Sequence, residues 1–481
     1  MTIIQFISES RRLALLTRLA LVSLAMALAE MLSACGGSAN ITAATANGPQ
    51  QYMTPVIYGG SGAEASPLST FSIDHTAATP GFAQQTYAFN NAQSGPKVIY
   101  SGSLVSSGLA RGLEELELTY ASGTSYNSPQ AGSGWAVELA DQSGALAQLT
   151  PESFMPLVPA VTCPSGKSAQ SYLFVTLPAL LLTAGTGTTG SNSYVWNPKV
   201  ETAYGSADIS ASGSTVTLAN IRQNILPSVG GGTPANAPSS SVTGVCSSTV
   251  YGNTVAIPAN PTITIDPTGT QTVSPQAMLG IGPSGLLVEN NGSTGSSFSY
   301  ENVLGAGTGA IGLPKPSSTV DVKAITNAQY LGFFFGSGSM QIRSSGSAQI
   351  TNGFSYAASF GFPSTPSGCP TSSGTLTAPL YGGDFPGNDP SAASVQAQGG
   401  FGNCDLLIDL GVQDSSTNGL FPNAIVYVGP GFASNTTGKN YSFPAVAIAG
   451  QLNGKYAIFV IGEDTSGSPN QAWGIYLLQS N

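Results

Sequence analysis

Val446-Ala-Ile-Ala449, Asn453-Gly454 and Tyr456-Ala-Ile-Phe-Val-Ile461, followed after a longer loop by Ala472-Trp-Gly-Ile-Tyr-Leu-Leu478, decide how this chain is read. Two apolar runs rich in β-branched and aromatic residues flank an Asn-Gly pair. Both central positions of a type I′ turn need φ > 0, and Asn and Gly reach it at least cost, so the segment predicts a β-hairpin with a third strand beside it. The same signature recurs upstream. Ala203-Tyr-Gly-Ser-Ala-Asp-Ile-Ser210 and Ser214-Thr-Val-Thr-Leu218 flank Ser212-Gly213. Met278-Leu-Gly-Ile281 and Leu286-Leu-Val-Glu289 flank Gly282-Pro-Ser-Gly285. Leu116, Leu118 and Tyr120 alternate with Glu115, Glu117 and Thr119, the pattern of a strand with one wet face. Helical periodicity is confined to Val320–Tyr330, where a short helix is expected. The chain therefore reads as all-β, with many short strands and Gly-rich turns.

Composition narrows the function. The 481 residues include 13 Lys or Arg, 23 Asp or Glu and one His, for a net charge of −10. Charged residues make up only 7%, against roughly 25% in an ordinary soluble domain, whereas Gly and Pro number 60 and 32. Without a basic stripe to neutralise phosphates, the chain is not a nucleic-acid binder. The hydrophobic share of 41% is enough to build a core.

The N-terminus reads as an address. Arg11, Arg12 and Arg18 precede the short apolar run Leu19–Ala29, and then comes Leu32-Ser33-Ala34-Cys35-Gly36. Small residues before a Cys, directly after such a run, resemble the lipobox of bacterial lipoproteins. The resemblance implies a signal peptide over residues 1–34, diacylglyceryl and palmitate-type acylation of Cys35, and membrane attachment through that anchor. Gly36 rather than Asp after the Cys implies outer-membrane retention, facing the periplasm or the surface. Residues 35–52, rich in Gly, Ser, Ala, Asn and Thr, read as a flexible tether, and 53–481 as the folded body.

Two larger resemblances bear on the body. The repeated motif of strand, tight turn, strand, loop and strand, at Val446–Leu478 and again at Tyr172–Leu218, looks like blades of lactonase-type or other β-propellers. It implies about six or seven blades, with β-sandwich or barrel domains as the alternative. Met278–Glu289, Ala306–Pro316 and Ala472–Gln479 are similar to segments of a group of uncharacterised bacterial lipoproteins, which carries no activity over to this chain.

Four cysteines remain besides Cys35: Cys163, Cys246, Cys369 and Cys404. An even number in an exported chain predicts two disulfides. Three connectivities are open, and the pairing Cys163–Cys246 with Cys369–Cys404 joins sequence neighbours.

Chemistry-bearing motifs are sparse. His75 lies beside Asp74, and there is no Gly-x-Ser-x-Gly elbow, so His75 reads as an inert surface histidine rather than a triad member. No pair of Asp-Thr/Ser-Gly loops is present for an aspartic-protease dyad. Gly280-Ile-Gly282-Pro-Ser-Gly285 matches a dinucleotide fingerprint but sits in a hairpin with no following helix, so it reads as a turn. Asp405 and Asp409 would lie about 13 Å apart on a strand and cannot share an ion. Asp384 and Asp389, in a Gly/Pro/Asn loop, can converge and are the candidate metal ligands, with turn capping as the plainer reading. No motif calls for a cofactor. Of the three Trp, Trp473 lies in a strand and reads as core, whereas Trp135 and Trp196, near loops, are the candidate platforms for carbohydrate, with buried packing as the plainer reading. The expectation is an outer-membrane lipoprotein serving as a non-catalytic binding or structural module, with a carbohydrate or an envelope protein as partner. The alternatives are a propeller enzyme acting on a sugar or lactone, and an adhesin or envelope-assembly scaffold.

Overall fold

The structure is a computed structural model. It describes residues 50–54, 69–86, 97–106, 113–120, 133–139, 141–148, 155–159, 169–176, 203–226, 241–249, 252–257, 263–265, 271–273, 277–291, 309–336, 354–361, 376–384, 406–428, 441–464 and 471–480. Residues 1–34 and Cys35 lie outside this set, as does most of the expected tether.

Among the described residues, all strands but one two-stranded ribbon form three antiparallel sheets, each closed on itself. Barrel 1 comprises β1 (Gln50–Thr54), β2 (Ser69–Asp74), β3 (Gly81–Thr86), β4 (Lys97–Ser106), β5 (Leu113–Tyr120), β6 (Ser133–Glu138), β7 (Ala145–Gln148) and β8 (Met155–Pro159). Barrel 2 runs from β9 (Gln170–Thr176) through β10 (Ala203–Ser212), β11 (Thr215–Ile225), β12 (Val242–Thr249) and β13 (Gly252–Ile257). A detached ribbon, β14 (Ile263–Ile265) with β15 (Gln271–Val273), follows. The barrel then resumes at β16 (Ala277–Ile281), β17 (Leu287–Asn291) and β18 (Gly309–Pro314). A short helix, α1 (Val322–Asn327), leads into barrel 3. Its strands are β19 (Tyr330–Gly336), β20 (Phe354–Phe360), β21 (Pro379–Asp384), β22 (Leu406–Asp409), β23 (Leu420–Val428), β24 (Tyr441–Leu452), β25 (Lys455–Asp464) and β26 (Gln471–Gln479).

This all-β architecture takes the barrel alternative and corrects the propeller expectation. In each set the first strand pairs with the last: Tyr52 opposite Pro159, Ile311 opposite Val175, and Tyr330 opposite Gln479. A blade is an open sheet of about four strands, whereas these are rings of eight. A propeller blade and a meandering barrel share the same hairpins, and only the closing pair tells them apart. The hairpin reading itself holds. Asn453 and Gly454 sit at φ +48° and +78° between β24 and β25, as a type I′ turn requires. The short helix also lies where expected, with the Asp321 carboxylate accepting from the Ala324 N–H at its N-terminus.

Side-chain alternation explains how the barrels are filled and joined. Eight strands leave an interior just wide enough for side chains. In barrel 1 it holds Tyr52, Phe71, Ile73, Phe82, Leu104 and Leu116. In barrel 2 it holds Tyr172, Phe174, Val216 and Leu218, and in barrel 3 Phe334, Phe360, Ile458, Val460 and Trp473. The intervening residues of certain strands face outward, yet they too are buried. Trp135, Val137 and Leu146 of barrel 1 share one core with Leu173, Val175 and Val288 of barrel 2 and with Val446, Ile448 and Phe459 of barrel 3. The barrels thus lean on one another through apolar flanks. Polar ties cross the same seams. The Ser284 hydroxyl donates to the Ser143 carbonyl at 2.9 Å, the Tyr476 hydroxyl to the Thr176 carbonyl at 3.3 Å, and the Asn453 amide to the Asp141 carboxylate at 2.5 Å.

Burial on both faces also accounts for the unbroken apolar runs. Along β25, Ala457, Phe459 and Ile461 face the shared core while Ile458 and Val460 face the barrel interior. Gly462, opposite Trp473, leaves room for the indole: a Cβ there would stand 2.1 Å from the ring.

Candidate functional site

The inward-facing core of barrel 1, from Tyr52 and Phe71 to Leu116 and Leu157, is apolar, and the same register becomes charged at one end. On β2, Phe71 and Ile73 point inward, and His75 follows two residues on in the same register. On β5, inward Leu116 is preceded by Glu114, and on β6, inward Ala136 is followed by Glu138. Because the sheet is antiparallel, the ends of β2 and β6 and the start of β5 lie at the same rim. There His75, Glu114 and Glu138 converge, each offering one ligand-type atom within 4.8 Å of the others. Their side chains are 30%, 25% and 10% exposed.

The contacts within the cluster are specific. His75 Nε2 lies 2.6 Å from Glu138 Oε2, and His75 Nδ1 lies 3.6 Å from Glu114 Oε1. The Tyr52 hydroxyl, rising from the apolar interior, donates to Glu138 Oε1 at 2.6 Å. Glu114 Oε2 is buried and has no hydrogen-bond partner among the described residues. Asp74 takes no part in orienting the imidazole. Its carboxylate accepts from the Thr76 N–H at 2.8 Å, the Thr76 hydroxyl at 2.7 Å and the Ala77 N–H at 3.1 Å, which fixes the turn carrying His75.

These surroundings move the titrations in directions with plain causes. The hydrogen bond to Glu138 raises the His75 pKa against the opposing effect of burial, with the Glu138 and Glu114 charges adding to it. Burial raises the Glu114 carboxyl above its ordinary value, which the Glu138 charge reinforces and His75 opposes. Burial, then the charge and hydrogen bond of Glu138, push the Tyr52 phenol far above its usual range, so it stays a donor. The hydroxyl of Thr76 holds Asp74 below its ordinary value.

No family model matches the chain, and no curated protein matches it in sequence. Among solved structures, it is similar to the isotype 1 transferrin binding protein B from serogroup B Neisseria meningitidis, at 10% identity and a TM-score of 0.21, over 90% of this chain and 76% of that one. A variant of the vaccine antigen transferrin binding protein B from Haemophilus parasuis Hp5 gives 8% identity and a TM-score of 0.20, over 90% and 77%. TM-scores this low do not establish a shared arrangement.

The residues singled out from sequence fall elsewhere. Cys246 lies buried in β12 and is disulfide-bonded. Cys163, Cys369 and Cys404 lie outside the described residues, and so does the expected pairing. Asp384 ends β21 with its side chain undescribed, and Asp389 is outside the described set. Asp409 is committed to the backbone: its carboxylate accepts from the N–H groups of Thr377, Ala378 and Gly411. Gly282–Gly285 is a hairpin turn, closed by the Gly285 N–H donating to the Gly282 carbonyl. Trp473 is 2% exposed and lies in the core as expected, Trp135 is 4% exposed and offers no stacking platform, and Trp196 lies outside the described residues.

Sequence reasoning missed the His75 cluster because it tested His75 only against its neighbour Asp74. The partner that matters, Glu138, is 63 residues away. The one available signal was the acidic start of β5, where Glu114 interrupts an otherwise apolar inward register.

Proposed function

We propose that this chain is a lipid-anchored envelope protein whose three-barrel body is a non-catalytic module that binds a protein partner. The observation that carries the reading is the shared core between the barrels. Three rings filled by their own side chains, and fused along their flanks, form a stiff body with its recognition surfaces on loops and exposed strand faces. The lipobox-like Leu32–Cys35 stands shortly before β1 and supplies the anchor. Burial of Trp135 and Trp473 favours a protein over a carbohydrate partner. A disulfide pairing of Cys163 with Cys246 and Cys369 with Cys404 suits an exported body of this kind.

Metabolic labelling with an alkyne fatty acid, read with mass spectrometry of the N-terminal peptide, tests the anchor. Wild type is expected to carry acyl groups on Cys35, and Cys35→Ala to lose the label and leave the membrane fraction. An unacylated wild-type N-terminus overturns the anchoring. Turnover of sugar or lactone substrates that His75→Ala abolishes overturns the non-catalytic reading.

A further inference from the structure

We propose that His75, Glu114 and Glu138 at the rim of barrel 1 bind one divalent metal ion of the zinc class. This goes beyond the binding-module reading and does not depend on acylation.

Four observations lead there. The single His of a chain only 7% charged stands between two carboxylates drawn from two other strands. One ligand-type atom from each of the three residues already lies within 4.8 Å of the others. Zinc–nitrogen and zinc–oxygen bonds of about 2.0–2.2 Å place ligand atoms roughly 3.3 Å apart, so shifts of about an ångström in these half-buried side chains complete the set. Glu114 Oε2 is buried without a partner, and Glu114 Oε1 faces Nδ1 at 3.6 Å, beyond hydrogen-bond reach. A buried carboxylate oxygen left unsatisfied is costly, and a cation in front of it removes that cost. Finally, the Tyr52 hydroxyl holds Glu138 Oε1 and leaves Oε2 turned into the cluster, as outer partners orient carboxylate ligands in metal sites. The Asp74 turn fixes the backbone that carries His75.

The donor set selects the ion. Two carboxylates and a neutral imidazole carry a charge that one divalent ion balances. Calcium requires about six to eight oxygens and magnesium a near-octahedral oxygen shell, neither of which a His-Glu-Glu set supplies. Without thiolate or thioether, soft ions are excluded, and mixed nitrogen and oxygen donors favour zinc and its neighbours. Three protein ligands leave at least one coordination position to water.

The test uses the full chain, purified without a histidine tag in non-ionic detergent and titrated near neutral pH. Zinc is followed by calorimetry, cobalt by its visible spectrum, and calcium serves as control. One zinc per chain is expected, with a cobalt spectrum of low coordination number and calcium without effect. His75→Ala and Glu138→Gln are each expected to weaken zinc binding by about 100-fold or more, and Tyr52→Phe by about tenfold. If circular dichroism shows either first variant unfolded, Glu114→Gln takes its place and is expected to show the same loss. Zinc is also expected to raise the melting temperature of wild type, to raise that of Tyr52→Phe less, and to leave that of the folded ligand variants unchanged at concentrations that saturate wild type. Absence of zinc binding, binding unchanged in the folded variants, or equal displacement by calcium overturns the proposal.

Discussion

Barrels 1 and 3 have the same eight-stranded antiparallel topology but finish their ends differently. Where β19 begins, α1 sends Ile325 into the interior of barrel 3, and the Tyr330 hydroxyl donates to the Ile325 carbonyl at 2.9 Å. That end is apolar and closed by the chain itself. Barrel 1, at the end where β5 begins, has His75, Glu114 and Glu138 in place of such a plug. The strands differ in the same sense. β25 is apolar on both faces, whereas β5 buries Leu116 and exposes Glu117. One topology therefore serves two purposes: barrel 3 supplies the interfaces that hold the body together, and barrel 1 can afford a polar rim.

The largest expected effect comes from breaking what barrel 3 shares. Phe459 lies fully buried between barrels, tilted on Tyr476 at 5.8 Å. Phe459→Ala is expected to destabilise by about 3–5 kcal/mol, read as a lower midpoint in guanidinium unfolding. The matching change in barrel 1, Leu116→Ala, is expected to cost about 2–5 kcal/mol but to leave the fluorescence transition of barrel 3 in place if the flanks fail after the interior. Next comes Gly462→Ala, which drives a methyl into the Trp473 ring. A loss of about 1–3 kcal/mol and a shifted tryptophan emission are expected.

A smaller effect tests the tie between the two barrels. Asn453→Ala removes the hydrogen bond to Asp141 and leaves Ala at φ +48°, for an expected loss of about 1–2 kcal/mol in thermal unfolding. Barrel 2 offers the mildest case. The Asp208 carboxylate accepts from the Asn220 amide at 2.7 Å and the Ser171 hydroxyl at 2.5 Å, and these bonds hold its pKa below the ordinary 3.8. A lowered carboxyl pKa contributes stability that is fully present above the ordinary value and is lost as pH falls through the lowered one. The melting temperature of wild type relative to Asp208→Asn is therefore expected to be flat above the ordinary carboxylate range and to shrink below it.

Much of this was legible in the sequence, for a physical reason. Hairpins are local: Asn453-Gly454 announces its turn within two residues. Closure is not local. Nothing near Tyr52 says that Pro159 will lie beside it, so barrels and blades could not be separated. β1 likewise begins within the span that reads as tether, at Gln50, and Tyr52 is core. One sign went unread. Runs such as Ala457–Ile461 and Tyr172–Val175 are apolar at every position, which an isolated antiparallel sheet with one wet face does not need. They mark strands buried on both sides, and so barrels in contact. The rim cluster was invisible because His75, Glu114 and Glu138 become neighbours only after β2, β5 and β6 have closed into a ring.

The pairing of Tyr330–Gly336 with Trp473–Gln479 has a consequence for how the polypeptide matures. The last stave of the third cylinder is made after the other seven, so that cylinder stays open until Gln471–Gln479 has been synthesised. A product stopped before Gln471 would present β19 and β25 as two long, greasy, unsatisfied borders, ready to recruit other chains or a protease. Translation through Gln479 is thus written into the architecture as a condition for sealing those borders.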